Sequence, residues 1–247
     1  MTAGPDALAA RRAVLAERLA AVTDRIARAE ADAGRGPGEV SLVAVTKTFP
    51  ASDVVLLTGL GITDVAENRD QEAAAKAAEV MARLETASPR WHFVGRLQRN
   101  KARSVVRYAD IVESVDRPEL VSALSAAAER YRQTPLDILV QVSLDTDPAR
   151  PGRGGAAGAE VPRLADAVAA APGLRLGGLM AVAPLGADPG PAFAGLAEVA
   201  GRLHHDHPGA TVVSAGMSGD LEAAVAHGAT HVRVGTALLG GRPPAGG

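Results

Sequence analysis

The sequence contains no cysteine and only 2% aromatic residues. Without cysteine the chain can form no disulfide, no thiolate zinc site and no thiol nucleophile, which fits a reducing compartment. Its 26 basic and 28 acidic residues give a net charge of −2, so no broad positive field attracts nucleic acid or an anionic membrane. No apolar run approaches the roughly 18 residues of a membrane span, and charged residues interrupt the N-terminus where a signal peptide would be apolar. We therefore expect a cytoplasmic protein without nucleic-acid or membrane partners.

Lysine is also rare. The lysines are Lys47, Lys76 and Lys101, and the other 23 of the 26 lysine and arginine residues are arginine. A bias in genomic base composition explains most of this preference, but it does not explain which three positions retain lysine. Each lysine is therefore a candidate for a specific role.

The chain length of 247 residues and its 47% apolar content suit a single α/β barrel, which typically has about 250 residues. Residues 5–33 carry Leu15, Leu19, Val22 and Ile26 on one face, which predicts an amphipathic helix before a glycine-rich breaker. Short runs of Val, Ile and Leu then alternate with stretches rich in Ala, Glu and Arg. This alternation is typical of repeated βα units.

Eight parallel strands with intervening helices predict a single (β/α)8 TIM-type barrel. The predicted strands cover residues 41–47, 62–68, 91–95, 111–116, 136–144, 174–183, 211–216 and 231–238. The predicted helices between them cover residues 52–60, 70–85, 98–108, 117–132, 160–170, 191–205 and 219–227.

We expect one domain with an extra N-terminal helix and no C-terminal β-domain. The helix and its linker take residues 1–38, the barrel takes residues 39–240, and residues 241–247 form a flexible tail. The tail is rich in glycine and proline, so it cannot supply the usual last outer helix. We therefore expect the N-terminal helix to cover that flank of the barrel.

Reactive residues of such barrels lie at the C-terminal ends of the strands. Lys47 ends the first predicted strand after an apolar run, so its partly buried amine would face the barrel mouth. Partial burial favours the neutral amine that a Schiff-base nucleophile requires. An amine that reaches solvent, or that pairs with Glu67, is the alternative interpretation. Lys76 and Lys101 lie on predicted outer helices and do not compete for this role.

Glycine-rich turns follow the seventh and eighth strands. The turn 214–220 leads into a helix, with Ser218 predicted as its N-cap, and Gly235 and Thr236 offer a second set of backbone donors. Loops at these two positions hold phosphate in many barrels. A lysine and a phosphate site together describe an aldehyde-bearing phosphate ligand, and pyridoxal 5′-phosphate (PLP) fits that description. A barrel acting on a sugar phosphate without a cofactor is another interpretation.

Six segments resemble a known family, in order and with similar spacing from about residue 40 to residue 240. They are 44–48 (AVTKT), 67–68 (EN), 91–101 (WHFVGRLQRNK), 178–181 (GLMA), 216–220 (GMSGD) and 232–237 (VRVGTA). The sequence thereby resembles the pyridoxal phosphate homeostasis protein family (YggS/PROSC type), which is related to the alanine racemase N-terminal domain. Ala66 departs from the glycine usual in the family. The loop 148–158 is also richer in Gly, Pro and Arg than the corresponding loop of the family. It is interpreted either as a lid or as a solvated connection.

The resemblance implies that Lys47 holds PLP as a Schiff base. Asn68 and Met180 would border the ring, and Arg233 would lie near the pyridine nitrogen or the phosphate. The residues implied around the phosphate are Ser214, Met217, Ser218, Gly235 and Thr236. No metal ligands and no catalytic residues are expected.

The implied function is PLP binding in vitamin B6 homeostasis, with the cofactor buffered or delivered to apo-PLP enzymes and other B6 vitamers as further candidate ligands. A racemase needs a second acid/base on the opposite face of the ring, and both tyrosines, Tyr108 and Tyr131, lie on predicted outer helices. We therefore expect no enzymatic activity. Separately, we expect a monomer. A single-domain PLP-dependent amino-acid racemase or related enzyme is the alternative.

Overall fold

The computed structural model describes residues 4–84, 88–145 and 154–241. Eight parallel strands form a closed barrel in chain order, and the eighth strand pairs with the first. This confirms the predicted (β/α)8 barrel. The strands are β1 (Ser41–Val45), β2 (Asp64–Glu67), β3 (Arg90–Phe93), β4 (Ile111–Val115), β5 (Leu136–Val142), β6 (Leu174–Ala181), β7 (Val212–Ser214) and β8 (His231–Val234).

Helices cover the outside of the barrel. They are α1 (Pro5–Asp32), α2 (Ala51–Thr58), α3 (Asp70–Arg83), α4 (Ala102–Val105), α5 (Pro118–Tyr131), α6 (Val161–Ala169), α7 (Pro189–Asp206), α8 (Leu221–Ala226) and α9 (Thr236–Leu239). Short 3-10 turns at Arg99–Lys101 and Gly158–Glu160 precede α4 and α6. None of the helices in the described ranges is long and apolar enough to cross a bilayer.

The eighth strand is shorter than predicted. It ends at Val234, and the chain leaves the sheet at Gly235 to form the single turn of α9. Leu238 and Leu239 gave this segment its strand-like apolar pattern, but they are buried outside the barrel in the core that includes α1. The fourth outer helix is also shorter than predicted, with four residues after a 3-10 turn.

Helix α1 packs on the barrel flank where a full-length last helix would lie. It contacts α8, α9 and α2, and it buries Leu15, Val22 and Ile26 in the core beneath it. Arg11 Nη2 lies 2.6 Å from Asp53 Oδ2 and donates to the Leu239 carbonyl. The N-terminal helix therefore occupies the expected place.

The barrel interior combines a thin apolar layer with charged residues. Ile111, Leu139 and Met180 form the buried apolar cluster, whereas His92 and Glu113 lie among the buried polar side chains. Most of the loop 148–158 and the tail from residue 242 lie outside the described residues.

Candidate functional site

Lys47 lies at the C-terminal mouth of the barrel, two residues after β1 ends. Val43 and Val45 precede it at alternate positions of the strand, and Ala44 between them belongs to the core outside the barrel. If the two-residue alternation of the strand continues through Thr46, Lys47 is expected on the same side as Val43 and Val45. Lys47 is partly buried as a residue.

The turn after Lys47 is conformationally strained. Thr48 is the one non-glycine residue with a positive φ in the described ranges, at 70°. This region is unfavourable for a β-branched residue and persists only where surrounding contacts hold it. Its position next to the candidate lysine is typical of a functional site.

The two loops after β7 and β8 meet beside this mouth. Ser218 Oγ accepts a hydrogen bond of 3.4 Å from the backbone N–H of Ala237 and so joins the two loops. Arg25 of α1 donates two bonds of 3.2 Å to the Ser218 carbonyl. The N-terminal helix therefore supports this loop directly.

Four backbone N–H groups of these loops have no acceptor within the described residues, those of Ser218, Gly219, Gly235 and Thr236. Clustered backbone donors of this kind bind anions such as phosphate. Ser218 is not the helix N-cap predicted from the sequence. Helix α8 begins at Leu221 after Asp220, and no side chain caps it.

Arg233 and Ser214 form a buried pair inside the barrel. Arg233 Nη1 donates to Ser214 Oγ at 2.6 Å, and its Nη2 donates to the Ala181 carbonyl at 2.7 Å. Ala181 follows Met180, which is paired in register with Ser214. Three of the predicted site residues, Met180, Ser214 and Arg233, are thus brought together on one side of the interior.

A chain of alternating charges contacts this pair from the N-terminal side of the barrel. Arg90 contacts Asp64 at 2.7 Å, Asp64 contacts His92 Nε2 at 2.8 Å, and Glu113 Oε1 lies 2.6 Å from His92 Nδ1. Glu113 Oε2 then accepts from Ser214 Oγ at 2.6 Å and lies 3.7 Å from Arg233. The chain runs from the N-terminal end of the barrel to the candidate site.

The charges of this chain are set by mutual contact. Burial alone would lower the pKa of His92, but hydrogen bonds to Asp64 and Glu113 raise it to about 9. Burial alone would raise the pKa of Glu113, but the bond and charge of His92, with the charge of Arg233, lower it to about 2. At neutral pH an imidazolium thus lies between two carboxylates, and Arg233 faces one of them.

Asn68 lies directly after β2 and is partly buried. A Cβ on Gly95 would come within 2.0 Å of the Asn68 carbonyl oxygen, so only glycine allows this close approach. Thr46 N donates to the Ala66 carbonyl at 3.0 Å. Asn68 and Lys47 therefore follow adjacent strand ends that are hydrogen-bonded together.

Sequence reasoning missed Glu113 and underrated Lys76. Glu113 is an acid flanked by Ile111, Val112 and Val115 in a predicted strand, and an acid at such a position is a detectable signal. Lys76 lies on an outer helix as predicted, but its amine reaches inward to Glu67 Oε1 at 2.6 Å. Its position among the buried residues Ala73, Ala77 and Val80 could have indicated this.

Comparison with known proteins identifies the family of this chain. The family model "Alanine racemase, N-terminal domain" matches residues 18–243. A Mycobacterium tuberculosis relative named "Pyridoxal phosphate homeostasis protein" is 46% identical over 253 residues, covering 98% of this chain and 96% of the relative.

Two solved structures are also similar. A protein of unknown function from Bifidobacterium adolescentis superposes with a TM-score of 0.85 at 31% identity, over 93% of this chain and 96% of that one. PipY of Synechococcus elongatus PCC7942, solved with PLP bound, gives 0.75 at 33% identity, over 92% of this chain and all of PipY. The chain therefore belongs to the pyridoxal phosphate homeostasis protein family, which has the fold of the alanine racemase N-terminal domain.

Proposed function

We propose that this protein binds PLP reversibly at the C-terminal mouth of the barrel and acts in vitamin B6 homeostasis. The observation that carries the proposal is that Lys47 follows β1, the strand paired with β8, and that the loops after β7 and β8 present backbone donors with no acceptor among the described residues. The relative PipY, whose fold this chain shares, was solved with PLP bound. When bound, PLP supplies an aldehyde that can condense with a lysine amine, with loss of one water.

Different residues fit different parts of such a ligand. The backbone N–H groups of 218–219 and 235–236 would hold the phosphate, and the amine of Lys47 would hold the aldehyde end. Both Nη atoms of Arg233 are used inside the barrel, by Ser214 and Ala181. We therefore place Arg233 against the ring side, with Asn68 and Met180, and not against the phosphate.

We further propose that the protein carries the cofactor without turnover. Tyr108 follows α4 and Tyr131 ends α5, so neither lies at the barrel mouth. Burial, together with the charges of Asp70 and Glu67, raises the pKa of Tyr108 well above its usual range, which makes this phenol unsuitable as a base. Apo-PLP enzymes and other B6 vitamers are the partners we propose, for a monomer in the cytoplasm.

The test begins with the visible absorption spectrum of the purified protein with PLP, followed by borohydride reduction and peptide mapping. We expect a visible band and a reduced adduct on Lys47, both lost in Lys47→Ala. Lys101→Ala is the matched control, because Lys101 is a more exposed lysine on the outside of the barrel. A colourless protein, or an adduct on Lys76 or Lys101 only, would overturn the proposal.

Absence of turnover is tested separately by following exchange of amino-acid α-hydrogen in D2O with the PLP-loaded protein. We expect no exchange above that of Lys47→Ala incubated with the same PLP. Exchange that depends on Lys47 would instead support the racemase class of enzyme.

A further inference from the structure

Lys76 is a buried lysine that the binding site described above does not use. It lies on the inward face of α3, and its side chain is 9% exposed. Its Nζ lies 2.6 Å from Glu67 Oε1 and 2.9 Å from the Thr46 carbonyl oxygen. A buried ammonium is costly unless it is paired. The burial of Lys76 with these two partners therefore calls for an explanation.

Both partners involve Thr46, the residue before Lys47: one is its carbonyl, and the other, Glu67, is hydrogen-bonded to its hydroxyl. Glu67 is fully buried and its Oε1 also accepts from Thr46 Oγ1 at 2.7 Å. Thr46 N donates to the Ala66 carbonyl. The backbone nitrogen, the carbonyl and the hydroxyl of Thr46 are therefore all hydrogen-bonded. Thr46, Glu67 and Lys76 are called the rim clamp below.

The rim clamp acts on the peptide unit from which Lys47 starts. The Thr46 carbonyl and the Lys47 nitrogen share one planar peptide bond, so holding the carbonyl fixes the orientation of that plane. The same carbonyl also accepts from Phe49 N at 3.1 Å, which closes the turn containing the strained Thr48. A strained turn persists only where its surroundings over-determine it, and the rim clamp supplies such contacts.

We propose that Lys76 and Glu67 are positioning residues that hold the Thr46–Lys47 peptide and thereby aim the Lys47 amine at the aldehyde end of the ligand. The proposal rests on the proposed function, because it concerns the bond between Lys47 and PLP. It assigns a specific role to Lys76, one of the three lysines of the chain. The loops after β7 and β8 are separate from the rim clamp, so phosphate binding should not depend on it.

The main test variant is the double substitution Glu67→Gln with Lys76→Met. It removes the lysine donor to the Thr46 carbonyl, leaving that of Phe49 N, and it leaves no unpaired buried charge. The amide oxygen of the introduced glutamine can still accept from the Thr46 hydroxyl. Lys101→Met is the matched lysine control, since Lys101 is 3.9 Å from Asp70 and more exposed. Leu124→Ala, in the fully buried core of α5, controls for a general loss of stability.

Two ligands separate positioning from folding. PLP reports the covalent bond, through the rate of the visible band and through borohydride-trapped Lys47 measured by mass spectrometry. Pyridoxine 5′-phosphate lacks the aldehyde, so its dissociation constant reports the phosphate and ring contacts alone. For the double variant we expect adduct formation on Lys47 to slow at least about ten-fold, and pyridoxine 5′-phosphate binding to change less than two-fold.

The outcomes distinguish the two proposals. If the wild-type protein forms no Lys47 adduct, the proposed function fails before the variants are compared. If the wild type forms the adduct and the double variant forms it at the same rate, the rim clamp proposal is wrong. Equal losses of both ligands, or the same slowing in Leu124→Ala, would show that the effect is loss of folding, which also overturns positioning.

Discussion

Substitution of Glu113 by glutamine should destabilise the protein strongly and in a pH-dependent way. Glu113 is fully buried and contacts His92 and Ser214 at 2.6 Å each, with Arg233 at 3.7 Å. Glutamine keeps the shape of the side chain but removes the charge that faces two buried cations. Removing one partner of a buried ion pair costs about 3–5 kcal/mol, and we expect a loss in this range at pH 6.

The pH dependence follows from the pKa of His92. Its rise from 6.5 to about 9 corresponds to about 3 kcal/mol of stability, at 1.36 kcal/mol for each pH unit. Because the folded-state pKa is raised, this contribution is complete below about pH 6.5 and is lost as the pH rises through about 9. Without the Glu113 charge the pKa of His92 falls, so the difference between wild type and variant should shrink between pH 6 and pH 9.5.

Urea unfolding followed by fluorescence measures this directly, because the single tryptophan, Trp91, is buried on β3 next to His92. Asp166→Asn is the matched control. Asp166 pairs with His207 at 3.0 Å, but its side chain is 73% exposed, so its loss should cost less than about 1 kcal/mol. A Glu113→Gln variant that loses less than about 1 kcal/mol, or whose deficit is constant with pH, would refute the interpretation of the buried charge chain.

Two further substitutions, Gly178→Ala and Leu15→Ala, test the packing that holds the site, and Gly186→Ala is the control for the first. Gly178→Ala should abolish soluble folded protein, because φ is +148° and the new Cβ would lie 1.9 Å from the Val212 carbonyl oxygen. Gly186→Ala, with φ +70° and no atom within 4 Å, should cost only about 1–2 kcal/mol of stability. Soluble yield and circular dichroism distinguish the two outcomes. Leu15→Ala should lose about 2–5 kcal/mol in urea unfolding, since Leu15 is fully buried between α1 and the barrel; a loss below about 1 kcal/mol would mean that α1 is not part of the core.

The strand number and order of the barrel could be predicted because each strand is a short apolar run between helical segments. The limits of the strands could not. Leu238 and Leu239 extended the apolar run beyond Val234, and only the folded chain shows that they pack against the core beneath α1 and not in the sheet. Apolar residues report that a segment is buried, but not which surface buries it.

Position along a strand predicts which way a side chain points, and the prediction for Lys47 rests on this rule. The candidate site could not be predicted where long-range pairing decides. The partners of Lys76 lie 9 and 30 positions away, and those of Glu113 lie 21 and 101 positions away. A helix assignment alone did not show that Lys76 faces inward.

The two buried networks, the rim clamp and the charge chain through Glu113, are built in the same way. The rim clamp holds the backbone beside Lys47, and Glu113 holds the side chains of Ser214 and Arg233 inside the barrel. In each case a fully buried carboxylate fixes a proposed ligand contact in place before any ligand arrives. Such preorganisation lowers the ordering cost of binding. It lowers folding stability in return, because the buried charges must be kept paired. For the proposed carrier, which would load and unload the same ligand, the contacts need not form and dissolve in each cycle.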